Sequence, residues 1–262
     1  MAEIYYETKP GDEHATQITN QLKQLLANIN FERPLVIAVG GDGTMLHAVR
    51  QHNSVKNALF VGVSAGHLGF IQAIESTQLE KFVDIIQKGE YETVRAPLIS
   101  VKDDSGHIFG YGFNEVLIER QAGYAVKLSL NIDGSKGKFI GDGVIFAAPL
   151  GSTSYALAAG GPIIDTALQN VFLVVPSNPH ISLLYTSLQR PHVLAGNRDV
   201  RIEMTGDDIK YHPARLAIDG RVALEHIDRP LTVFLSDRCV DMLQLAGNGF
   251  YHRLEKKRLG RA

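Results

Sequence analysis

Gly40-Gly41-Asp42-Gly43-Thr44 sets one acid among three glycines, directly after the apolar run 34–39 (PLVIAV). Without Cβ atoms the glycines reach positive φ and let a ligand approach the backbone. The N–H groups of such a turn, and of a helix opening at Thr44, attract anions, phosphate above all. A carboxylate inside a phosphate cradle is repelled by its ligand unless it handles a hydroxyl or organises a cation. Asp42 therefore points to phosphoryl transfer, with amides around Gly40, Gly41, Gly43 and Thr44 holding phosphates while the acid orients an acceptor hydroxyl. The same five residues also make an ordinary strand-to-helix turn with Asp42 as its cap. Neither G-x-x-x-x-G-K-[ST] nor G-x-G-x-x-G is present, since Leu46 stands where the third glycine of the latter falls. A P-loop NTPase and an ordinary dinucleotide dehydrogenase are thereby not indicated.

Five further segments carry polar chemistry. Residues 64–70 (SAGHLGF) follow the next apolar run, and Phe70 suits either a base to stack on or a place in the core. Asn114-Glu115 interrupts an apolar stretch; the pair suits ribose hydroxyls or an adenine edge, or else a solvent-facing strand edge. Gly141-Asp142-Gly143 precedes another apolar run and then Gly151-Ser152-Thr153-Ser154-Tyr155. That hydroxyl-rich turn supplies short hydrogen-bonding groups, or simply a helix N-cap at Ser152 or Thr153. Asp219-Gly220 is most simply a hairpin turn. The ten histidines fall in no ligand spacing, so no structural zinc site is expected.

The elements around these residues change character along the chain. Residues 3–7, 34–39 and 58–63 read as strands, the last two apolar throughout as in a sheet covered on both faces. Between and after them Ala15, Ile18, Leu22, Leu25 and Ile29, then 44–52, then Leu79, Phe82, Val83 and Ile86, recur at helical spacing. This order predicts an α/β N-terminal domain with a parallel sheet over 1–95. Beyond Pro97 short strands dominate: 98–102, 108–119, 125–132 (alternating), 172–175, 199–204, 215–218, 231–235 and 240–245. A helix is expected only near 154–159. Residues 96–245 thus read as a mostly β, sandwich-like C-terminal domain, with 246–262, a basic and weakly helical tail, returning to the first.

Composition removes several classes. The 262 residues are 45% hydrophobic and 21% charged, with net charge −2, which argues against a dedicated nucleic-acid binder. The one cysteine, Cys239, excludes an intrachain disulfide. No apolar leader and no run of about 18 apolar residues is found, so neither secretion nor a membrane span is expected. A cytoplasmic protein is the default.

Together, GGDGT at 40–44, GHLGF at 66–70, Asn114-Glu115, GDG at 141–143, GSTSY at 151–155, AGGPI at 159–163 and IDG at 218–220 resemble the NAD kinase family along nearly the whole chain. GGDGT alone is shared with lipid kinases and phosphofructokinases; the set is specific. The resemblance implies transfer of phosphate from ATP to the 2′-hydroxyl of the adenosine ribose of NAD, giving NADP. It implies a homo-oligomer, dimer or tetramer. Mg2+ or another divalent cation is expected with ATP, on phosphate oxygens and not in a protein-only site, since no cluster of acids falls at ligand spacing. By the same resemblance Asp42 is the base and Gly43 joins it in the nucleotide loop. Phe70, Asn114, Glu115, Asp142, Thr153, Ser154, Tyr155 and Ala158 fall on the NAD side. The chain departs from the family at Ser154 (usually Ala), Ala158 (usually Ser), Ile140 (often basic) and Arg221 (commonly Gln). Two other readings remain at this point, a lipid or sugar kinase with the same glycine turn and an idle NAD(P)-binding sensor.

Overall fold

The computed structural model describes residues 3–66, 69–121, 123–180, 188–204, 206–245, 247 and 249–259. His67 and Leu68 of the second loop lie outside them. The chain divides into two compact units, Met1–Ala96 with Cys239–Ala262, and Pro97–Arg238. In chain order the elements are β1 (Ile4–Thr8), α1 (Glu13–Leu26), β2 (Leu35–Gly40), α2 (Asp42–His52), β3 (Leu59–Ser64), β4 (Ile74–Glu75), α3 (Leu79–Lys88) and β5 (Glu92–Asp103). Then come β6 (Ile108–Gly112), β7 (Glu115–Arg120), β8 (Val126–Ile132), β9 (Ser135–Gly141), β10 (Gly143–Ala147), α4 (Tyr155–Ala158) and β11 (Val171–Ser177). The chain finishes with β12 (His192–Ala195), β13 (Asp199–Glu203), α5 (Gly206–Tyr211), β14 (Ala214–Ile218), β15 (Arg221–Leu224), β16 (Leu231–Gln244) and α6 (Phe250–Leu259).

In the first unit β1, β2 and β3 pair in parallel, and the end of β16 adds to β3 in parallel, Asp241 opposite Leu59. Every residue of β2 and β3 is buried, because helices cover both faces. Leu35, Ile37 and Val39 share a core with Ile18 and Leu22 of α1 and Phe82 of α3. Their alternates Val36, Ala38 and Phe60 point the other way, where α2 contributes the buried Met45, Ala48 and Val49. Asp12 caps α1 by accepting the Ala15 N–H, and Gly89 at φ +68 closes α3. The return to this unit falls at Cys239, inside β16, where the sequence pattern placed it at 246.

The second unit is a β-sandwich. One sheet runs β12-β11-β10-β7-β14-β15, antiparallel throughout. The other joins β9, β8, β13 and the first part of β16, also antiparallel. Val116, Ile118, Val144, Phe146 and Phe172 of the first meet Leu128, Leu130, Phe139, Val200 and Val233 of the second in one core. The opposite face of the first sheet is covered by Ala156 and Ile164, packed on Ile145, Leu173 and Val175. That cover explains why 144–148 reads as an unbroken apolar run.

Three expected strands are corrected. Residues 231–235 and 240–245 are one 14-residue strand, which runs on through residues 236–239, where no glycine or proline breaks it. Residues 108–119 are two strands, because the chain changes sheets at Phe113-Asn114. β6 pairs with β5, Ile99 opposite Gly112, whereas β7 sits between β10 and β14 in the other sheet. Among the described residues no helix is long and apolar enough to cross a membrane.

Phe146 is fully buried at the centre of the sandwich core. We expect Phe146→Ala to cost about 3–5 kcal/mol, read as a lower denaturant midpoint at unchanged slope; a loss under about 1 kcal/mol contradicts the packing described.

Candidate functional site

The first unit builds the glycine turn at the end of β2. Gly40 takes φ +153, and a Cβ there would stand 2.3 Å from Thr44 Oγ1, so only glycine allows this turn to close. Gly41 is the N-cap of α2, and its carbonyl accepts the N–H groups of Thr44 at 3.0 Å and Met45 at 3.3 Å. The helix therefore opens at Asp42, two residues earlier than its apolar spacing suggests. Asp42 does not cap its own helix. Its carboxylate accepts the Phe70 N–H on Oδ2 at 3.2 Å and the Ile71 N–H on Oδ1 at 3.0 Å, and so ties the second loop to the first. A carboxylate has about four lone-pair sites, so two remain for a hydroxyl or water.

Gly69 makes this approach possible. A Cβ there would fall 2.4 Å from Asp42 Oδ1 and 2.1 Å from Gln72 Oε1. Gln72 is buried, and neither atom of its amide has a hydrogen-bond partner among the described residues. The Phe70 ring is not offered to a ligand as a stacking face. It is 5% exposed, with the Phe250 ring edge-on at 5.8 Å and the Arg253 guanidinium 5.8 Å above it. The ring is buried within its own unit, and what Phe70 gives the turn is its amide.

The second unit gathers Asn114, Glu115, Ser154 and Asp219. Asn114 and Glu115 are each 8% exposed at the start of β7, a central strand, which removes the solvent-facing edge reading. The Asn114 carbonyl accepts the Ala148 N–H, and a Cβ on Gly151 would lie 1.9 Å from that oxygen. Gly151 thus lets the hydroxyl-rich turn lie against Asn114. Ser154 Oγ accepts from Asn114 Nδ2 at 3.3 Å and donates to the Glu115 carboxyl. Burial pushes the Glu115 carboxyl up to about 7, helped by the negative charge of Asp219; the Ser154 hydroxyl pulls it back. Glu115 Oε2 is buried with no partner among the described residues.

Asp219 is the residue that sequence reasoning missed. It does form the expected turn, with Asp219 at φ +47 and Gly220 at φ +73 between β14 and β15. Its carboxylate also accepts the N–H groups of Phe113 at 2.8 Å, Asn114 at 2.8 Å and Glu115 at 3.1 Å. No local signal announces this, because the partners lie more than a hundred residues away in sequence.

The other expected site residues lie apart from this cluster or serve locally. Thr153 is buried, and its hydroxyl donates to the Leu150 carbonyl at 3.1 Å. Ser152 Oγ accepts the Ile164 N–H at 2.9 Å. Neither caps α4, whose N-cap position is Ser154, without a side-chain cap bond. Tyr155 and Ala158 are exposed on α4. Asp142 sits at the far end of β10, held by Arg120 Nε at 2.8 Å and Asn178 Nδ2 at 2.8 Å. Glu115 pairs with Ala147 at the near end, so five strand residues separate the two acids, roughly 17 Å.

Two family models match the chain, "ATP-NAD kinase N-terminal domain" over residues 2–91 and "ATP-NAD kinase C-terminal domain" over 113–240. An NAD kinase of Alcanivorax borkumensis is 31% identical over 85% of this chain and 73% of its own length. One from Methanospirillum hungatei is 33% identical over 85% of this chain and 78% of its own. A yeast NADH kinase crystallised with NADH shares the fold with a TM-score of 0.80 at 18% identity, covering 99% of this chain and 88% of that one. An Archaeoglobus fulgidus NAD kinase in complex with ATP does so at 0.73 and 23%, covering 98% of each chain.

Because the folded chain holds the Glu115 proton more tightly than an unfolded chain, where the ordinary value is 4.5, this group favours folding at low pH. That contribution is lost as pH rises from 4.5 through about 7. The difference amounts to about 3 kcal/mol. We expect Glu115→Gln to gain stability relative to the parent over this window and to hold the gain at higher pH. Denaturant midpoints of the two proteins that run parallel across the window would exclude the buried, proton-holding carboxyl.

Proposed function

This chain belongs to the NAD kinase family, and on that premise we propose that it transfers the γ-phosphoryl group of ATP to the 2′-hydroxyl of the adenosine ribose of NAD. The observation that carries the reading is Asp42: an acid in a glycine turn at a helix N-terminus, oriented by two amides and left with lone pairs to spare. In the proposed step Asp42 takes the proton of the acceptor hydroxyl as its oxygen bonds to the γ-phosphorus. The bond from that phosphorus to the β,γ-bridging oxygen breaks, and ADP leaves with the electron pair. The backbone around Gly40, Gly41 and Gly43 at the N-terminus of α2 suits the donor phosphates; the expected Thr44 amide is already given to the Gly41 carbonyl.

Asn114 and Glu115 suit ribose hydroxyls, since each presents a buried polar end that Ser154 bridges. Asp142 stands too far along β10 for one sugar to touch both it and Glu115, which suits an acceptor with a second nucleotide half. Thr153, with its proton on Leu150, is left as an acceptor only. A divalent cation, with Mg2+ as the natural choice, would come on the phosphates of the donor. Among the described residues no group of three or more His, Cys, Asp or Glu could hold a metal by itself. We extend the proposal to a cytoplasmic homo-oligomer. Matches to both halves of the kinase leave a lipid or sugar kinase without support, and an idle sensor has no use for Asp42 among phosphates.

We expect Asp42→Asn to lower kcat by about 10²–10⁴-fold while the KM for NAD changes far less. Asparagine keeps one acceptor oxygen for the second loop, and a melting curve of the variant checks that the fold survives. Single turnover at more than about a tenth of the parent rate would remove Asp42 from the base role. Excess chelator is expected to abolish phosphorylation of NAD, and added Mg2+ to restore it; activity that survives chelation contradicts the cation's part.

A further inference from the structure

The change of sheets at Phe113-Asn114 leaves three consecutive amides at a point where water is largely excluded. All three converge on Asp219, Phe113 on Oδ2 and both Asn114 and Glu115 on Oδ1. The Asp219 N–H in turn donates to the Glu115 carbonyl at 3.0 Å. We infer that Asp219 is a positioning residue for the NAD-side pair: its two carboxylate oxygens fix the backbone from which Asn114 and Glu115 project, and its negative charge stands beside Glu115. This inference rests on the proposed role of Asn114 and Glu115 in holding the acceptor.

Turn chemistry and positioning make opposite demands at this residue. The Asp219-Gly220 turn has positive φ at both central positions, and there Asn-Gly is at least as good as Asp-Gly. If the turn were all that Asp219 served, Asp219→Asn would be harmless. The amide cluster needs two acceptor oxygens. An asparagine offers one, and its NH2 would face the third N–H as donor against donor. The substitution also removes the charge that faces Glu115. Of the two groups acting on that carboxyl beside burial, Asp219 holds its proton on and the Ser154 hydroxyl releases it. Taking away the former lets Glu115 ionise at lower pH.

The test compares the parent, Asp219→Asn and Glu115→Gln in kcat/KM for NAD across roughly pH 5.5–9, with melting curves of each. In the parent, an acid limb near 7 is expected, where Glu115 gains the charge that accepts a ribose hydroxyl. Asp219→Asn should raise the KM for NAD about tenfold, with a smaller change in kcat. It should also move the acid limb to lower pH. A folded Asp219→Asn protein with parental KM and limb reduces Asp219 to a turn residue and overturns the inference. Glu115→Gln separates the premise: an acid limb that persists unchanged near 7 in that variant overturns the acceptor role of Glu115 itself. If the limb disappears there yet stays put in Asp219→Asn, only the positioning role of Asp219 is lost. Should Asp219→Asn fail to fold, hydrogen exchange of the parent decides. Slow exchange at the amides of Phe113, Asn114 and Glu115 is expected, and fast exchange at all three overturns the cap.

Discussion

A buried amide needs an acceptor, and both polar loops of this protein are held by meeting that need with a carboxylate. Where β3 gives way to the second loop, the N–H groups of Phe70 and Ile71 find Asp42. Where the chain passes from one sheet of the sandwich to the other, those of Phe113, Asn114 and Glu115 find Asp219. An unpaired buried amide costs about 1–3 kcal/mol, and hydrogen bonds to an ionised acceptor are the stronger kind. Each acid therefore anchors several residues at once. In the proposed function Asp42 also takes the proton of the acceptor hydroxyl, so there loop anchoring and chemistry would share atoms.

Such anchoring depends on close approach, and glycine supplies it at two places. At Gly69 a side chain would enter the space of the Asp42 carboxylate, and at Gly151 one would enter that of the Asn114 carbonyl. Neither takes positive φ; what they contribute is the absence of a Cβ. The glycines of this chain thus act in two physical ways, with Gly40 and Gly220 adopting backbone angles that other residues resist.

Much of the architecture could be read from periodicity. β2 and β3 are apolar throughout because helices cover both faces, and β8 alternates because one face packs in the sandwich and the other does not. β9 was invisible, since SKGKFIG buries only Phe139 and Gly141 and offers no run. The break within 108–119 was hidden because residues on both sides of it are strand formers, and only pairing partners tell that they belong to different sheets. At the candidate site, Asp42 stood out because an acid in a glycine turn suited to phosphates is a chemical contradiction that calls for a use. Asp219 was not, because an acid before a glycine in a hairpin is already accounted for by the turn, and its second employment lies in partners far off in sequence.

Glu115 shows why a site residue cannot be understood from its own position alone. Three influences meet on its carboxyl: burial and the charge of Asp219 favour the proton, while the Ser154 hydroxyl favours its release. Their balance lies near 7, so modest changes in any of them decide which form is present at neutral pH. The hydroxyl of Ser154 also engages Asn114. An alanine there would leave the Asn114 amide without that acceptor and Glu115 without the donor that opposes Asp219. In the proposed function the ionised form is the one that accepts a ribose hydroxyl, so this balance sets the pH below which that contact is lost. One acid on the hairpin turn and one hydroxyl on the adjoining turn thus set, from opposite sides, the form that Glu115 takes.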